Sequence, residues 1–491
     1  MTEASSTAAA AAAAARNPRM SFGQDVRRIA PLAWPVFVGQ VAVVSFATVD
    51  TVLVARYSAL DLAALAVGSA AYMSIFVGLM GVVLAIGPIA GQLFGAGRRA
   101  QAGEQLHQAI WLALGLCVIG GALLLWPQPF LALSRAEPAV AERVRGYLAA
   151  LAFALPAALV FTAFRGFTVA VSRPLTVMLL QLGALALKVP LSIALINGFA
   201  LPAVPGDWRV PAQGVTGCGV ATAIAMWAQC VAAVVLLRRD AFYATFGLHR
   251  AGLSRPHAAA QRALLRLGVP MGLSIGVEIT AFTFMSFFIS RLGALAVAGH
   301  QIAINLVSMM FMMPLALSNA TGTLVAQRLG ANDARDARRI GWHGVELGVV
   351  IAALMGGGVY LGREPLLALY TEDRAIVAAA LPLLAWVMLF HIGDATQSIA
   401  AFVLRAYHIA TPPMLIYAAS LWGVGMLGGY HLAFGTSALS PAALRGAPGY
   451  WAAFTFGITL AALLLLGLQG WVLGVKRREE RAPQRLAARP G

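Results

Sequence analysis

The chain has 491 residues, of which 60% are hydrophobic and 11% are charged, and it carries a formal net charge of +16. A water-soluble domain could not cover so much apolar surface, so the composition excludes an ordinary soluble protein and predicts an all-α integral membrane protein. The positive charge is explained by retention of lysine and arginine on the cytoplasmic face of a membrane, so it does not indicate nucleic-acid binding.

Twelve apolar stretches follow one another along the chain, separated by short polar connections. Each has about 20 residues or more, which as a helix crosses the roughly 30 Å hydrocarbon layer of a bilayer. We therefore predict twelve transmembrane spans, over residues 29–56, 62–90, 107–126, 146–165, 174–198, 214–237, 267–290, 295–325, 341–361, 377–404, 412–434 and 450–474.

Lysine and arginine are divided unevenly between alternate connections of this pattern. The leader, the connections after even-numbered spans and the carboxyl-terminal tail together hold 24 of them, whereas the connections after odd-numbered spans hold nine. Since basic residues are retained on the cytoplasmic side during insertion, both termini are predicted to be cytoplasmic.

The two halves of the chain repeat one another. Gln92 after span 2 begins the sequence Gln-Leu-Phe-Gly-Ala, and Gln327 after span 8 begins Gln-Arg-Leu-Gly-Ala, 235 residues later. The same 235 residues separate Pro35 in span 1 from Pro270 in span 7. A unit of six spans inserts twice in the same orientation, which predicts two six-helix bundles related by a pseudo-two-fold axis along the membrane normal. A cleft between two such bundles is typical of a transporter.

This duplication divides the chain into five predicted regions. Arg165 near the end of span 4 and Arg405 at the cytoplasmic end of span 10 are taken as further counterparts in the two halves. The regions are a cytoplasmic leader (1–28), an amino-terminal lobe (29–237), a cytoplasmic linker (238–266), a carboxyl-terminal lobe (267–474) and a cytoplasmic tail (475–491).

We single out three carboxylic acids among those inside the predicted spans: Asp50 in span 1, Glu278 in span 7 and Asp394 in span 10. An ionised side chain in the middle of a bilayer costs about 2.5 to 3.5 kcal/mol, so such residues generally face a wet cavity, a partner or an ion. The acids do not follow the duplication, because Asp50 shifted by 235 residues falls on Met285. We therefore interpret them as functional groups with separate roles in the two lobes.

A series of short segments carries a resemblance to a known family. They are Val49-Asp50-Thr51, Glu278 eight residues after Pro270, Asp394 within residues 390–395, both glutamine turns, and the glycine-rich segment 214–223. In this order and spacing they resemble the multidrug and toxic compound extrusion family, and within it the NorM-like branch. The resemblance extends over residues 21–474.

The resemblance implies an antiporter of the bacterial cytoplasmic (inner) membrane that exports amphipathic, often cationic organic compounds by alternating access, in exchange for Na⁺ or H⁺. It implies that Glu278 and Asp394 form a cation-coupling site, which would hold a Na⁺ ion if coupling is to sodium, and that Asp50 serves coupling or substrate binding. Asp373 matches an acid that contacts drugs in some members, and a solvated carboxylate is the alternative there. The expected partners are small-molecule drugs and membrane lipid, with no cofactor, and a monomer is expected.

Span 5 departs from the family's pattern, because Lys188 and Ser192 stand where an asparagine pair is common. A lysine inside a span is costly unless it meets an anion or loses its proton. We predict that Lys188 pairs with Asp50, and the alternative is that its long stem reaches a membrane interface.

Three further side chains are candidates for the transport path. Phe282 and Phe288 belong to a group of phenylalanines in span 7, and aromatic faces attract organic cations. His391 precedes Asp394 by three residues and so shares its helical face, where it either tunes the cation site or simply packs in the core.

Other functional classes match the sequence less well. An intramembrane enzyme would need acids or histidines grouped on one helix, and a channel would need repeated filter loops, but the spans suggest neither. A lipid-linked oligosaccharide flippase of the same superfamily is the closest alternative. Such a flippase would line its cavity with several arginines, whereas Arg165 and Lys188 are the only basic residues that we expect to be buried.

Overall fold

Helices form nearly all of the structure, a computed structural model that describes residues 21–134, 137–200, 209–249, 252–435 and 441–487. A π-helix, Ala418–Leu427, connects α15 to α16, a 3-10 turn spans Ala442–Leu444, and the strands β1 (Phe199–Ala200) and β2 (Arg209–Val210) pair antiparallel. The α-helices are α1 (Phe22–Tyr57), α2 (Ala59–Val83), α3 (Ile86–Gly95), α4 (Arg99–Leu125), α5 (Gln128–Ser134), α6 (Pro138–Ala170), α7 (Pro174–Asn197), α8 (Gly214–Arg239), α9 (Ala241–Ala244), α10 (Ala258–Ser290), α11 (Ala294–Gly330), α12 (Ala334–Leu361), α13 (Arg363–Tyr370), α14 (Arg374–Ala406), α15 (Thr411–Tyr417), α16 (Gly428–Phe434) and α17 (Ala447–Ala487).

The twelve predicted spans are all helical. Within the described ranges, 11 helical segments are long and apolar enough to cross a membrane, with α2 and α3 counting as one crossing over Ala59–Gly95. The eleventh predicted span, 412–434, is divided between α15, the π-helix and α16. The prediction of an all-α protein with many membrane spans is confirmed.

The crossing formed by α2 and α3 is interrupted at Leu84 and Ala85. Pro88 lies four residues after Leu84 and has no amide hydrogen, so the regular helical bond to the carbonyl of Leu84 cannot form. Helix α2 therefore ends at Val83, and α3 begins at Ile86. Both Leu84 and Pro88 line a central cavity between the two halves of the chain.

Each half of the chain has its own buried core. The largest cluster of buried side chains runs from Val54 to Leu248 and takes in a few residues of α10 and Ala410. A second cluster runs from Ala281 to Val472. Between the halves, α1 and α3 pack against α11, and α2 packs against α10. This is the two-bundle architecture expected from the duplication.

All four predicted region boundaries fall inside helices, and the one between residues 237 and 238 lies just before the end of α8 at Arg239. Helix α1 begins at Phe22 within the predicted leader, α10 begins at Ala258 within the predicted linker, and α17 continues past the predicted lobe to Ala487. Apolar length locates only the part of a helix that crosses the membrane, and polar residues can extend the same helix further. The first 20 residues of the predicted leader lie outside the described residues.

The duplicated glutamine turns meet at the interface between the halves. Gln92 donates from Nε2 to the carbonyl of Ala406 at 2.7 Å, and Gln327 donates from Nε2 to the carbonyl of Ala170 at 2.7 Å. These carbonyls lie at the ends of α14 and α6, where the last carbonyls of a helix receive no N–H donor from the helix itself. Each half therefore completes a helix end of the other half.

Two glycines allow this close approach. A Cβ atom added to Gly95 would collide with the backbone carbonyl of Gln327, and one added to Gly330 would collide with the backbone carbonyl of Gln92. Because each collision is with backbone rather than with a flexible side chain, a larger residue at either position would push the halves apart.

The glutamine contacts also show how the two halves correspond. They make Ala170 and Ala406 equivalent helix ends. Arg165 lies five residues before its helix end and Arg405 only one, so the two arginines are a helical turn apart in register. The prediction that they are counterparts rests on the prolines that follow them at similar distances, Pro174 and Pro413. It is wrong, because this spacing is a weaker guide than the helix ends themselves.

A cluster of charges adds to the contact between the halves near the start of α1. Asp25 accepts from Nε of Arg339 at 2.9 Å and lies 2.7 Å from Nδ1 of His343, both of which are on α12. Arg28 of α1 lies 3.2 Å from Asp336 of α12. Asp25 is fully buried, so its charge requires these partners. The ion pairs thus tie α1 to α12.

The substitution Gly95→Ala should destabilise the contact between the halves. Overpacking of this kind costs about 1 to 3 kcal/mol, so the melting temperature of the detergent-solubilised protein should fall when followed by tryptophan fluorescence. Gly115→Ala in α4 is the matched control, because nothing lies within 4 Å of a Cβ atom at that position. The control should melt at or above the wild-type temperature, since alanine favours a helix. Equal melting of the two variants would contradict the collision.

Candidate functional site

A cavity of about 560 Å³ lies between the two halves of the chain. Helices α1, α2, α3, α6 and α7 line it from the amino-terminal half, and α10, α11, α14 and α15 line it from the carboxyl-terminal half. Its walls are mostly apolar, and the charged side chains among them are Arg165, Glu278, Asp394 and Arg405. A cavity of this size and character can enclose a drug-sized organic molecule.

Glu278 on α10 and Asp394 on α14 line the carboxyl-terminal side of the cavity. Asp394 is buried, with 2% of its surface exposed, and Glu278 is partly exposed. The two carboxylates repel one another electrostatically. Such a pair favours uptake of a cation or a proton, because either one removes the repulsion. The structure thus brings these two predicted site residues together.

A short hydrogen-bond chain orients Asp394. Gln397, one turn further along α14, donates from Nε2 to Oδ1 of Asp394 at 2.9 Å. The amide oxygen of Gln397 accepts in turn from the hydroxyl of Tyr417. Tyr417 is the last residue of α15, at the junction with the π-helix, and it also lines the cavity. The chain holds one oxygen of Asp394 and leaves the other without a donor from the described residues.

The residues around the two acids fit a sodium ion in part. Sodium is a hard cation, like calcium and magnesium, and such ions prefer oxygen ligands. Glu278 and Asp394 supply carboxylate oxygens, and the Tyr417 hydroxyl oxygen belongs to the same wall. No group of three or more histidine, cysteine or acidic side chains that could hold a metal occurs in the described residues. A bound ion would therefore need neutral oxygens or water to complete its coordination.

Arg405 is buried on the cavity wall, with 8% of its surface exposed. Its guanidinium carbon lies 4.5 Å from the centre of the Phe402 ring. It attracts Glu278 electrostatically, although the two form no ion pair within 4.0 Å. The sequence predicts Arg405 on the cytoplasmic surface, because it directly follows span 10. That prediction is wrong, since α14 continues to Ala406 and carries the residue into the protein interior.

Of the two candidate phenylalanines, Phe282 lines the cavity and Phe288 does not. The ring of Phe282 packs edge-on against Phe390, with 5.7 Å between the ring centres. Phe288 lies further along α10 and packs instead against Tyr430 and Tyr450. Phe282 is therefore placed for contact with a substrate, whereas Phe288 belongs to a separate aromatic cluster.

Asp50 and Lys188 form a buried ion pair between α1 and α7. Lys188 Nζ lies 2.6 Å from Asp50 Oδ2, and their side chains are 1% and 8% exposed respectively. The same Nζ donates to the carbonyl of Phe46 at 3.4 Å and lies 4.6 Å from the centre of its ring. This is the pairing expected from the sequence. Neither residue lines the cavity, so the pair is separate from Glu278 and Asp394.

The ion pair does not use all the acceptor capacity of Asp50. Asp50 Oδ1 and Ser192 Oγ, one turn after Lys188 on α7, have no hydrogen-bond partner among the residues placed in the structure. The thiol of Cys218 on α8 lies near enough to interact with the carboxylate, but a thiol is only a weak donor. The pair therefore neutralises the charge of Asp50 and leaves one oxygen open.

His391 and Asp373 do not reach the cavity lining. His391 is fully buried, and neither of its ring nitrogens has a hydrogen-bond partner within the described part of the chain. Its influence on Asp394 stays a prediction. Asp373 is exposed, and its Oδ1 accepts from the amide of Ala375 at 2.8 Å, which caps the start of α14. The position of Asp373 matches that of a solvated carboxylate.

The sequence did not single out Gln397 or Tyr417. Gln397 carries a usable signal, because it lies three residues after Asp394 and so shares its helical face. Tyr417 is on another helix, and only the packing of α15 against α10 and α17 brings it to the cavity. Its contribution could not be found from local spacing.

Two stretches of the chain, residues 35–194 and 270–431, match the model of the MatE family. They begin at Pro35 and Pro270, the two prolines that also mark the duplication. The probable multidrug resistance protein NorM of Aromatoleum aromaticum (strain DSM 19018 / LMG 30748 / EbN1) is 39% identical over 446 residues, which cover 91% of this chain and 93% of the relative. The chain belongs to the MatE family.

Other MatE proteins agree with this assignment. The probable multidrug resistance protein NorM of Neisseria meningitidis serogroup B is 33% identical over 460 residues, which cover 93% of this chain and 96% of the relative. The crystal structure of the eukaryotic MATE transporter AtDTX14 matches with a TM-score of 0.79 at 19% identity, over 94% of this chain and 99% of that one. The likeness to AtDTX14 concerns the fold alone. The recognition of a NorM-like MatE protein is confirmed.

In this MatE protein, Lys188→Met should lower the melting temperature, and so should Asp50→Asn. Each single change leaves a buried polar or charged group without its partner, and loss of one member of a buried ion pair costs about 3 to 5 kcal/mol. The double variant Asp50→Asn/Lys188→Met should recover much of the loss, because both charges are gone. Thermal unfolding of the purified proteins measures all three. Losses that simply add in the double variant would argue against a coupled pair.

Proposed function

We propose that this MatE protein is a multidrug efflux transporter, which exports amphipathic, often cationic organic compounds in exchange for Na⁺ or H⁺. The observation that carries the proposal is the cavity between the halves, whose lining combines an aromatic side chain, Phe282, with the carboxylates of Glu278 and Asp394. The names of its relatives, both probable multidrug resistance proteins, support the same class of substrate.

Glu278 and Asp394 link the movement of the ion to that of the drug. A cation or proton at these acids removes negative charge from the cavity wall, so the affinity for a cationic drug falls. Such a difference in affinity between two states is what allows one ligand to drive another. Rocking of the two halves about their interface then exposes the cavity to each side of the membrane in turn.

The amino-terminal half contributes Asp50 to coupling rather than to direct contact with the drug. This assignment is supported by its position outside the cavity lining and by its pairing with Lys188 at 2.6 Å. A proton that reaches the open oxygen of Asp50 would weaken this pair and so alter the packing of α1 against α7. Substrate contact by Asp373 finds no support in its exposed capping position.

The protein is oriented with both termini in the cytoplasm of a bacterial cell and spans the inner membrane. The excess of basic residues in the leader, the linker and the tail supports this orientation. The reciprocal glutamine contacts and the Asp25–Arg339 pair then lie on the cytoplasmic side. In this proposal they close the cleft toward the cytoplasm.

Neutralising any one of the three acids should abolish drug efflux. Asp50→Asn, Glu278→Gln and Asp394→Asn each remove a charge on which ion binding depends, while the small change of shape allows the protein to insert. Accumulation of ethidium in cells without other efflux pumps, normalised to the amount of protein in the membrane, measures the effect. Asp373→Asn is the matched control and should retain efflux, since its carboxylate only caps a helix. If all three acid variants kept wild-type efflux, the assignment of these acids to ion coupling would be wrong.

A sodium gradient and a proton gradient, each imposed separately on proteoliposomes, should identify the coupling ion. At least one inward gradient of the ion should drive a fluorescent organic cation outward against its own gradient. Glu278→Gln should lose the response to whichever ion drives the wild-type protein, because it removes a charge from the ion site. A wild-type protein that responds to neither gradient would refute antiport.

A further inference from the structure

The amino-terminal wall of the cavity contains a cation that the proposed transport cycle does not use. Arg165, on α6, lines the amino-terminal wall. Its Nη1 donates to Oε1 of Gln40 at 3.1 Å, and its Nη2 lies 3.5 Å from the sulfur of Met80. Among the residues that the structure describes, no carboxylate lies within 4.0 Å of its guanidinium nitrogens. A guanidinium has five N–H donors, so most of them have no acceptor from the chain.

Each of the other cations in and near the cavity has a carboxylate of the protein as an electrostatic partner. Lys188 lies 2.6 Å from a carboxylate oxygen of Asp50. Arg405 is attracted by Glu278 and covers the ring of Phe402. An unpaired charge away from water is costly, and it is stabilised by an anion or by solvent in a cavity. Arg165 is therefore the cation on this wall that can accept an anion from outside the chain.

Arg165 is also an addition to the duplicated scaffold. Counted from the equivalent helix ends Ala170 and Ala406, its counterpart in the carboxyl-terminal half is Ala401, which lines the cavity as well. The repeated helix thus packs at this position with only a methyl group. Arg165 is the charged side chain that the amino-terminal wall contributes to the described lining. The wall of the other half contributes Glu278, Asp394 and Arg405, so acids outnumber bases there.

We propose that Arg165 binds the carboxylate of zwitterionic amphipathic substrates, whose cationic group is held on the acidic wall of the cavity. A guanidinium matches a carboxylate in size and shape and binds it through two parallel hydrogen bonds. The apolar surface that includes Val36, Leu84 and Ile275 accommodates the uncharged body of such a molecule. The inference rests on the proposed efflux function and makes Arg165 a specificity-determining residue for one class of substrate.

A phosphate offers a guanidinium the same chemistry as a carboxylate, so an anionic lipid headgroup is the other source of an anion. We assign the site to the substrate because Arg165 faces the cavity between the halves, where it lies with the residues placed for drug contact. The composition of the surrounding bilayer separates these two sources by experiment.

A matched pair of dyes tests the assignment on the purified full-length protein in phosphatidylcholine nanodiscs. A rhodamine with a free carboxylate is zwitterionic, and its methyl ester is an otherwise identical cation. Fluorescence anisotropy gives the Kd of each dye. Arg165→Gln should raise the Kd of the acid about tenfold or more relative to that of the ester, because the charge-assisted hydrogen bonds are lost. The Kd ratio of Arg165→Lys should lie between those of the wild type and Arg165→Gln. Lysine keeps the positive charge but cannot form the two parallel hydrogen bonds of a guanidinium.

Arg291→Gln is the matched control, because Arg291 is an exposed arginine directly after α10 and lies outside the cavity lining. It should keep the wild-type ratio of the two Kd values. An unchanged ratio in Arg165→Gln, or an equal loss of both dyes, would overturn the proposal. So would a wild-type preference for the acid that disappears when phosphatidylglycerol is added to the nanodiscs, since lipid would then be the anion.

Failure of the efflux function would give a different result. The wild-type protein would then transport neither dye in proteoliposomes under any imposed gradient. The ratio of the Kd values is measured without a gradient, so it reports on Arg165 independently of transport.

Discussion

A charge inside a membrane must be paired, hydrated or occupied by a ligand, and this constraint organises the whole structure. The amino-terminal half meets it with the ion pair of Lys188 and Asp50, at 2.6 Å. Outside the predicted spans, the contact between the halves meets the same requirement for a buried charge with Asp25, which lies among basic residues of α12. At the cavity this requirement for a partner is met only in part, because Glu278 and Asp394 repel one another. In the proposed function, this repulsion between the two acids makes the carboxyl-terminal wall respond to an ion.

The scaffold is duplicated, but its chemistry is not. The glutamine turns and their glycines form the same contact twice, once from each half. The duplication therefore kept both the shape of this turn and its hydrogen bond across the interface. The ionisable residues follow no such rule. The acidic pair lies in one half, and the lysine pair lies in the other. In the proposed transport cycle, two walls of similar shape can therefore carry out different tasks.

Much of the fold could be predicted from the sequence, because apolar length locates spans and repeated segments reveal the two halves. The pairing of Lys188 with Asp50 could also be predicted, since each is costly in a span without the other. The burial of Arg405 could not, because the end of a span is uncertain by a few residues and here those residues decide between surface and interior. Periodicity alone likewise gave no reason to separate Phe282 from Phe288.

The division of span 11 and the role of Tyr417 depend on packing between distant segments. A continuous apolar stretch predicts a single helix, and it contains no signal for the π-helix that begins directly after Tyr417. The hydrogen bond from Tyr417 through Gln397 to Asp394 links α15 with α14, so it exists only in the folded protein. Sequence reasoning found the acid but not the residues that orient it.

The reciprocal bonds of Gln92 and Gln327 have a consequence for the way in which the molecule opens. Parting the helices at this end would strip the donors from two backbone carbonyls in a single motion, and both would need water at the same moment. Breaking one of these hydrogen bonds alone leaves the other glutamine turn and its close glycine contact in place, so little solvent enters. If the proposed transport cycle opens the molecule at this end, the two bonds would therefore be lost together rather than one after the other.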